Sequence, residues 1–521
     1  MIKRIVLAVI VVLLVAGVGL FFWARAILST DAVRTALADQ LTKALGQPVS
    51  VEGVKTGIYP RVTLTLTGVS IGQPVRITVA SLDVGTDFMA LLSRRIEHAA
   101  LHVNEAKFQL PLPPLNISGT SSPAGSSPSA PVTLVSVDEV VLKDIEVVSR
   151  GRTLRGDIEV APHGTSAATI RRIALTADTA HIEGKGEITD LSGPVGTIDL
   201  KATALDLDQL TVFASDFAEG SAARASSSAG ASTTSGAARD RTPRGPSTVD
   251  LTVTLAADRA TMAGVTLDAL SGQAHLKGDA LNVEPMTFNL FGGSYKGQIA
   301  AVLGDAPTFS WKASISNVDM AAVTAFVGNP GVITGRLAGQ VDVTGAGIDA
   351  ARAMKTARGR AAVTITNGVV KNLALVRSAV AATSLDPQAV IASSQGPHDE
   401  PFSELGASLS IFSGTASTPD LHFVSPDLRL DAGGALRLDG AALNLKGVIQ
   451  LSEELSRKAN NALLRAAGQD GRIVLPATVT GVAGKYSIQI DTAAVAKRAI
   501  TNEATRQGQD AVKKGLERIL R

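Results

Sequence analysis

Alternation of apolar and polar residues with a period of two constrains this sequence more than any other feature. In "RVTLTLTGVSI", residues 61–71, the side chains of Val62, Leu64 and Leu66 alternate with threonines, and the phase shifts at Gly68. Successive side chains of a β-strand point to opposite faces of the sheet. The stretch therefore predicts a strand with one apolar face and one polar face, and similar stretches recur through much of the chain.

The distal part of the sequence repeats this pattern. "STVDLTVTLAAD" alternates four apolar residues with polar ones: Val249, Leu251, Val253 and Leu255. In "DLRLDAGGALRLDGAALNLKGVIQL", leucine pairs mark three short strands separated by Gly433-Gly434 and Asp439-Gly440: Leu428 and Leu430, Leu436 and Leu438, Leu443 and Leu445. Loops this short require antiparallel neighbours. We therefore predict a mainly β, antiparallel fold.

The sequence predicts few helices. Residues 29–45 place apolar side chains at i+4 steps (Val33, Leu37, Leu41 and Leu45) and end at Gly46. This spacing is typical of an amphipathic helix that stops at a glycine. Two further helices are predicted, over about residues 452–467 and in the basic amphipathic tail, residues 493–521.

The first 28 residues predict a transmembrane anchor. An uninterrupted apolar run of 20 residues, 5–24, would span about 30 Å as a helix, which is enough for a bilayer core. The anchor residues are Ile5, Leu13, Leu20, Phe21, Phe22 and Trp23. Lys3 and Arg4 precede the run, so the positive-inside rule places the N-terminus in the cytoplasm and the rest across the membrane. A cleaved signal peptide is the alternative, although its apolar region is usually shorter.

Composition excludes several classes of function. The chain of 521 residues is 45% hydrophobic but only 3% aromatic, so aliphatic side chains supply its apolar surface. Specific small-molecule pockets usually use more aromatic residues. The net charge of +2 gives no global field for nucleic acid, and the absence of cysteine excludes disulfides, thiolate zinc sites and cysteine nucleophiles.

Two segments rich in Ser, Ala, Gly and Pro interrupt the alternation. They cover residues 113–131 and 218–247, and their composition is typical of flexible linkers. They predict a proximal unit (29–112), a middle unit (132–217) and a distal unit (248–492).

No motif in the sequence specifies catalysis, a metal or a cofactor. P-loop, G-x-G-x-x-G and H-E-x-x-H motifs are missing from the sequence, and no G-x-S-x-G stretch lies at a strand-to-helix elbow. His98 and His102 have metal-ligand spacing on a helix, but on a strand they would lie about 13 Å apart. Alternation with Leu101 and Val103 favours the strand. Residues 292–297, "GGSYKG", predict a hairpin turn rather than a nucleophile loop, and the glycosylation pattern at Asn116 falls in a linker.

The order of segments resembles the AsmA family of bacterial envelope proteins anchored in the inner membrane. An anchor is followed by "ALGQPVSVEG", "YPRVTLTLTGVSIG" and "VASLDVGTDFMALLSRRIEHAALHVNEAKFQL". "GRAAVTITNGVVKNLAL", "SPDLRLDAGGALRLDG" and "LPATVTGVAGKYSIQID" look like the distal region of that family. The resemblance covers about residues 1–112 and 355–492, whereas the middle of the chain is similar only in its general residue pattern.

The resemblance implies an elongated, curled antiparallel β-sheet that forms a hydrophobic groove, and a role in phospholipid transport and outer-membrane integrity. Residues expected to face lipid acyl chains are Val62, Leu64, Leu66, Val249, Leu251, Val253, Leu255, Leu428, Leu430, Leu436 and Leu438. The expected partners are membrane phospholipids, the inner membrane and an outer-membrane or envelope protein, with the bulk of the chain in the periplasm. Burial of these strand faces between sheets, an envelope assembly scaffold that influences outer-membrane protein insertion, and an enzyme are the alternatives.

Overall fold

A computed structural model describes most of the chain. The described residues are 34–35, 38–39, 41–42, 45–57, 62–86, 95–96, 98–113, 133–134, 136–164, 166–177, 180–190, 193, 195–210, 212–213, 216, 249–303, 306–347, 349–373, 375–376, 378–379, 399–438, 442–458, 462–482 and 485–519. The predicted anchor, residues 1–28, and nearly all of both predicted linkers lie outside them. Within the described residues, no helix is both long and apolar enough to cross a membrane. The chain divides into two compact units, Met1–Ala280 and Leu281–Arg521.

Unit 1 consists almost entirely of strands. Its strands are β1 (Val49–Ser50), β2 (Gly53–Gly57), β3 (Val62–Ile71), β4 (Ile77–Thr86), β5 (Arg95–Ile96), β6 (Ala99–Gln109), β7 (Thr133–Leu134), β8 (Val137–Ser149), β9 (Arg152–His163), β10 (Ala167–Ala177), β11 (Ala180–Asp190), β12 (Val195–Asp206), β13 (Asp250–Met262) and β14 (Val265–Lys277). Helical residues occur at 34–45 and at 207–216, with gaps in the described positions. The mainly β prediction is confirmed.

Strand pairing in unit 1 is mixed. β1 and β2 both pair with β3, and pairing then continues through β4, β6 and β8 to β14 in chain order. β6 pairs with β8, and β12 with β13, in parallel. A parallel neighbour requires a long crossover connection, and each Ser/Ala-rich segment lies in one of these two connections. The prediction of a curled antiparallel sheet is corrected here, because the sheet is mixed and uncurled.

The N-terminal helical segment closes one face of the first strands. Leu41 and Leu45 of this segment are buried in one cluster with Leu64 and Leu66 of β3. The cluster extends through β4, β6, β8, β9 and β10 to Ile188 of β11. The first part of unit 1 therefore has an ordinary closed hydrophobic core.

Unit 2 contains the remaining strands and the longer helices. Its strands are β15 (Ala280–Leu290), which begins at the boundary, β16 (Gly293–Val302), β17 (Thr308–Asp319), β18 (Arg336–Ala346), β19 (Arg358–Val370), β20 (Glu400–Phe412), β21 (Thr415–Val424), β22 (Leu428–Arg437), β23 (Leu443–Leu451), β24 (Val474–Val482) and β25 (Lys485–Ile490). Its helices are α1 (Met320–Phe326), α2 (Ala350–Thr356), α3 (Glu453–Lys458), α4 (Ala462–Ala466) and α5 (Thr492–Ile519). β16 to β25 pair antiparallel in chain order.

The core of unit 2 lies at its C-terminal end. Ile449 and Leu475, both almost fully buried, pack in one cluster with Leu464 of α4 and Val495 of α5. The predicted tail helix agrees with α5, but the predicted helix over 452–467 is two short helices, α3 and α4. α1 and α2 were missed, although Asp319 and Asp349 accept hydrogen bonds at their first turns as N-caps.

A buried carboxylate makes the stability of unit 2 dependent on pH. Glu400 at the start of β20 is buried, and its Oε2 accepts a hydrogen bond from the Val376 N–H at 3.1 Å. Burial raises the pKa of Glu400, and the charge of Asp427 raises it further, which outweighs the lowering by backbone N–H donors. A carboxyl group with a raised pKa binds its proton more tightly in the folded state, so it favours folding as the pH falls.

We expect wild-type unit 2 to gain stability relative to Glu400→Gln as the pH falls from neutral toward the ordinary pKa range of glutamate. The amide of the variant does not titrate, so this variant removes the pH dependence of this position alone. Denaturant unfolding of both full chains at a series of pH values measures the difference. A difference that stays constant over this pH range would show that Glu400 does not titrate as described.

Candidate functional site

Strand register places an apolar face on the second half of the unit 1 sheet. In one row, Leu200 of β12 lies beside Gly184 of β11 and Leu255 of β13. In the next row, Ile198 lies beside Val253. We call this surface the unit 1 face, and its members are Ile158, Ile173, Leu175, Ile182, Ile188, Ile198, Leu200, Leu251, Val253, Leu255 and Leu276.

The unit 1 face becomes more exposed with distance from the closed core. Ile182 and Ile188 are buried, whereas Leu200, Val253 and Leu255 are only partly buried. Ile198 and Leu251 are also partly buried, and both pack against the edge of the core cluster. Apolar side chains on β12 and β13 therefore contact water in this structure.

Glycines keep the unit 1 face smooth. The Leu200 side chain lies over Gly184, where a Cβ atom would come within 2.6 Å of the leucine Cδ2 atom. Gly186 lies opposite Ile198 in the same way, and its Cβ would meet the Thr197 carbonyl oxygen at 2.5 Å. Because bulky side chains occupy the space above these two glycines, the face is smooth and aliphatic at this point.

The opposite face of the same strands is polar. Glu183 lies beside Lys201, and Lys185 lies beside Asp199, so opposite charges face each other across the β11–β12 pair. On β14, His275 Nε2 lies 2.7 Å from the Asp250 carboxylate, and this hydrogen bond is the main cause that lowers the pKa of Asp250. The strands thus separate an apolar face from a charged one.

Unit 2 has an apolar face of the same kind on β16 to β20. Trp311 lies beside Ile299 and Val343, and Val341 lies beside Ala313 and Ala361. We call this surface the unit 2 face, and its members are Ile299, Trp311, Ala313, Ile315, Val341, Val343, Ala361, Val363, Leu409 and Ile411. Val343 is buried, Trp311 is exposed, and the other members are partly buried.

Trp311 is the most exposed member of the unit 2 face, with 37% of its surface accessible. Its indole Nε1–H donates a hydrogen bond to the Tyr295 hydroxyl at 2.8 Å, and Tyr295 stacks on Phe288 with ring centroids 4.2 Å apart. Burial raises the pKa of Tyr295, against a smaller lowering by the Trp311 hydrogen bond. Trp311 is therefore held in a fixed orientation on an otherwise aliphatic surface.

The residues predicted to face lipid fall into separate environments. Leu64 and Leu66, at 2% and 1% exposure, lie in the closed core of unit 1, and Leu428 and Leu430 lie in that of unit 2. The Val62 side chain lies outside the described residues. The remaining members are accessible to different degrees: Val249, Leu251, Val253, Leu255 and Leu436 are partly buried, and Leu438 is exposed.

His98 and His102 pair with acidic residues on β8 rather than with each other. His98 Nδ1 lies 2.8 Å from the Asp138 carboxylate, and His102 Nε2 lies 3.8 Å from that of Glu139. In the part of the chain that the structure describes, no group of three or more His, Asp or Glu side chains is arranged to hold a metal. The "GGSYKG" stretch turns at Gly292 and then enters β16, so its serine and lysine lie on a strand.

Several members of the two faces were missed at the level of sequence. Ile198 and Leu200 lie in "VGTIDLKATALD" and Val341 lies in "RLAGQVDVTGA", both of which alternate as clearly as the stretches singled out above. The same alternation of apolar and polar residues, sought in every stretch of the sequence, identifies them. Trp311 gives no periodic signal of its own, because "SWKAS" is short and mixed.

The fold and these surfaces define a mainly β protein that presents extended, partly exposed apolar sheet faces. The AsmA family model matches residues 194–421, and this match supports the resemblance of the chain to the AsmA family. Neither a curated protein nor a solved structure matches the chain.

The matched range differs from the extent of the resemblance seen in the sequence. It includes the middle of the chain, which looked similar only in its general residue pattern, and it overlaps the range of the resemblance only over residues 355–421. It runs from β12 into β21, so it contains both Val253 of the unit 1 face and Trp311 of the unit 2 face. The family match therefore includes the most exposed parts of both apolar faces.

Proposed function

We propose that this protein binds lipid acyl chains on its unit 1 and unit 2 faces and supports phospholipid transport and outer-membrane integrity. The observation that carries the proposal is the partial exposure of Leu200, Val253 and Leu255, aligned in neighbouring strands within the family-matched region. An aligned apolar surface in contact with water favours an apolar ligand.

The chemistry of the faces suits a mobile hydrocarbon chain. Burying a methylene group stabilises a complex by about 0.8 kcal/mol, so several contacts hold an acyl chain without any polar group. The unit 1 face offers aliphatic side chains interleaved with glycine, and polar groups lie on the opposite face. A lipid held in this way can shift along the face without breaking a specific hydrogen bond, which suits transport better than catalysis. We therefore propose a non-enzymatic role.

The N-terminal sequence supports a location at the inner membrane. Residues 5–24 are long and apolar enough for one span, and Lys3 and Arg4 favour a cytoplasmic N-terminus. We propose that the two units lie in the periplasm, where the partly exposed faces would receive phospholipid from the membrane that holds the anchor. Envelope or outer-membrane proteins are the proposed partners at the other end of the route.

Photocrosslinking in cells tests the proposal on the full chain. A photoreactive amino acid is introduced at Val253 on the unit 1 face or, as the matched control, at Thr254 on the polar face of the same strand. Both positions are partly buried, so they differ mainly in the face that they occupy. We expect mass analysis to find phospholipid attached at 253 and none above background at 254.

Other outcomes distinguish the alternatives. Protein adducts without lipid at 253 would contradict lipid binding and favour an assembly scaffold. Equal lipid recovery at 253 and 254 would show non-specific contact with a membrane. A hydrolytic or transfer activity lost on a single polar substitution would favour an enzyme.

A further inference from the structure

The strand ends of unit 2 form a rim with unusual surface chemistry. At one end of the sheet, turns and α2 connect β16 with β17, β18 with β19, β20 with β21, β22 with β23 and β24 with β25. We call this end the basic rim, and its described residues are 302–303, 306–308, 346–347, 349–358, 412–415, 437–438, 442–443, 481–482 and 485. At about 4.8 Å per strand, the eight steps from β16 to β24 extend roughly 38 Å.

Backbone hydrogen bonds join neighbouring turns of the basic rim. The Gly347 N–H donates to the Pro307 carbonyl at 2.8 Å. The Ser413 N–H donates to the Ala357 carbonyl at 3.0 Å, which links the β20–β21 turn to the end of α2. The Leu438 N–H donates to the Gly414 carbonyl at 2.9 Å, which links the end of β22 to the β20–β21 turn. The rim is therefore a connected surface.

Large apolar side chains are concentrated on the basic rim. Six of the twelve exposed large hydrophobic residues in the described part of unit 2 lie there: Val302, Leu303, Met354, Phe412, Leu438 and Val482. Phe412 is the most exposed of them, at 60%. They lie at strand ends or in the connections between strands. Their exposure is unfavourable in water unless another apolar phase covers them.

Basic side chains accompany these apolar groups. The rim carries five exposed Lys and Arg residues: Arg352, Lys355, Arg358, Arg437 and Lys485. Asp349, the N-cap of α2, is the exposed acidic residue among its described positions. The sequence adds Asp305 between β16 and β17 and Asp439 between β22 and β23, and with these two residues counted the charges sum to +2.

Apolar and basic groups touch each other at the centre of the rim. The Arg358 guanidinium lies over the Phe412 ring, 5.0 Å from its centroid. A cation held on an aromatic ring next to exposed aliphatic side chains suits the interfacial layer of a bilayer, where rings meet acyl chains and cations meet phosphate.

We propose that the basic rim docks on the surface of a membrane rich in anionic phospholipids. The line of apolar side chains enters the interfacial layer, and the Lys and Arg residues pair with lipid phosphates. This contact is separate from lipid binding on the sheet faces, because it uses strand ends and a bilayer surface rather than a single acyl chain. It would hold the open strand ends of unit 2 against the membrane with which lipid is exchanged.

Site-directed spin labelling tests the docking, and the chain has no cysteine to remove. Ser413→Cys lies on the basic rim, and Asn329→Cys lies in the exposed loop after α1 at the other end of unit 2. The labelled full chain, held in nanodiscs of neutral phosphatidylcholine, is mixed with vesicles of phosphatidylcholine with or without phosphatidylglycerol. We expect anionic vesicles to lower collisions with a water-soluble nickel chelate, and to raise collisions with oxygen, at 413 but not at 329.

Charge reversal supplies the second measurement. Arg352→Glu with Lys355→Glu is expected to weaken binding to the anionic vesicles by at least about tenfold, because both cations lie where phosphate would bind. Unchanged accessibility at 413, equal changes at 413 and 329, or equal binding to neutral vesicles would each overturn the proposal. Concentration-dependent protection at 413 without vesicles would also overturn it and would assign the rim to a second copy of the chain.

Discussion

Leu66→Asp is expected to unfold unit 1. Leu66 is 1% exposed and lies in a cluster with Leu41 and Leu45 of the N-terminal helical segment. Removing a buried leucine side chain alone costs about 2–5 kcal/mol, and an unpaired buried carboxylate adds a further desolvation cost. The total is comparable with the stability of a typical domain. Thermal unfolding followed by circular dichroism, together with limited proteolysis, measures the loss.

Thr78→Asp is the matched control for this experiment. Thr78 lies on β4, is exposed, and its register neighbour on β6 is Lys107. A carboxylate there stays in water and lies close to a cation, so the unfolding temperature should remain near that of the wild type. If Leu66→Asp also folds normally, the helical segment does not close this part of the sheet. Leu64 and Leu66 would then return to the set of lipid-facing candidates.

Val253→Asp is expected to fold but to lose bound lipid. Val253 is partly buried, so a carboxylate at this position can remain hydrated at the edge of the sheet. The charge lies beside Ile198 and Ala274 and excludes hydrocarbon from both neighbours. Loss of contact with two methylene groups, at about 0.8 kcal/mol each, weakens lipid binding by roughly tenfold or more.

Lipid recovered with the purified full chain, divided by protein amount, measures this effect. Thr254→Asp places the same charge on the polar face of the same strand and should leave lipid recovery unchanged. An unfolded Val253→Asp protein would mean that the unit 1 face belongs to a closed core. A folded variant with normal lipid recovery would mean that lipid binds elsewhere.

The strands themselves could be predicted from the sequence because alternation is a local signal. "RVTLTLTGVSI" forms β3 over Val62–Ile71, and the predicted phase shift coincides with Gly68, which adopts a positive φ of 61°. Leu66 and Val69 therefore point to the same face although they are three residues apart. A residue with a side chain is disfavoured in this backbone conformation, which is why the shift falls on a glycine.

The alternation of residues did not predict which part of the protein, if any, covers each apolar strand face. Leu64 and Val253 lie in equally regular alternating stretches, yet one is buried beneath a helical segment and the other is partly exposed. The difference depends on contacts between residues far apart in sequence. Alternation reports that a face is apolar, whereas only the tertiary structure reports what lies against it.

The two parallel pairings were missed for a related reason. The pairs β6–β8 and β12–β13 each follow a long Ser/Ala-rich segment, and such a segment carries no local signal for the direction in which the next strand runs. The short helices α1 and α2 did leave a signal, in the form of Asp319 and Asp349 directly before them. A systematic search for N-cap residues at strand ends would have found both helices.

Fluorescence of Trp311 tests most directly whether acyl chains lie on the sheet faces. The chain contains two tryptophans, so Trp23→Phe leaves Trp311 as the single emitter. Phospholipids brominated on their acyl chains quench a tryptophan that they touch. As the matched control, Trp311→Phe with Lys312→Trp, in the same Trp23→Phe background, moves the emitter to the polar face. We predict strong quenching at 311 and little at 312 when the full chain is loaded with brominated lipid. Equal quenching at both positions, or none at 311 while lipid remains bound, would contradict the account.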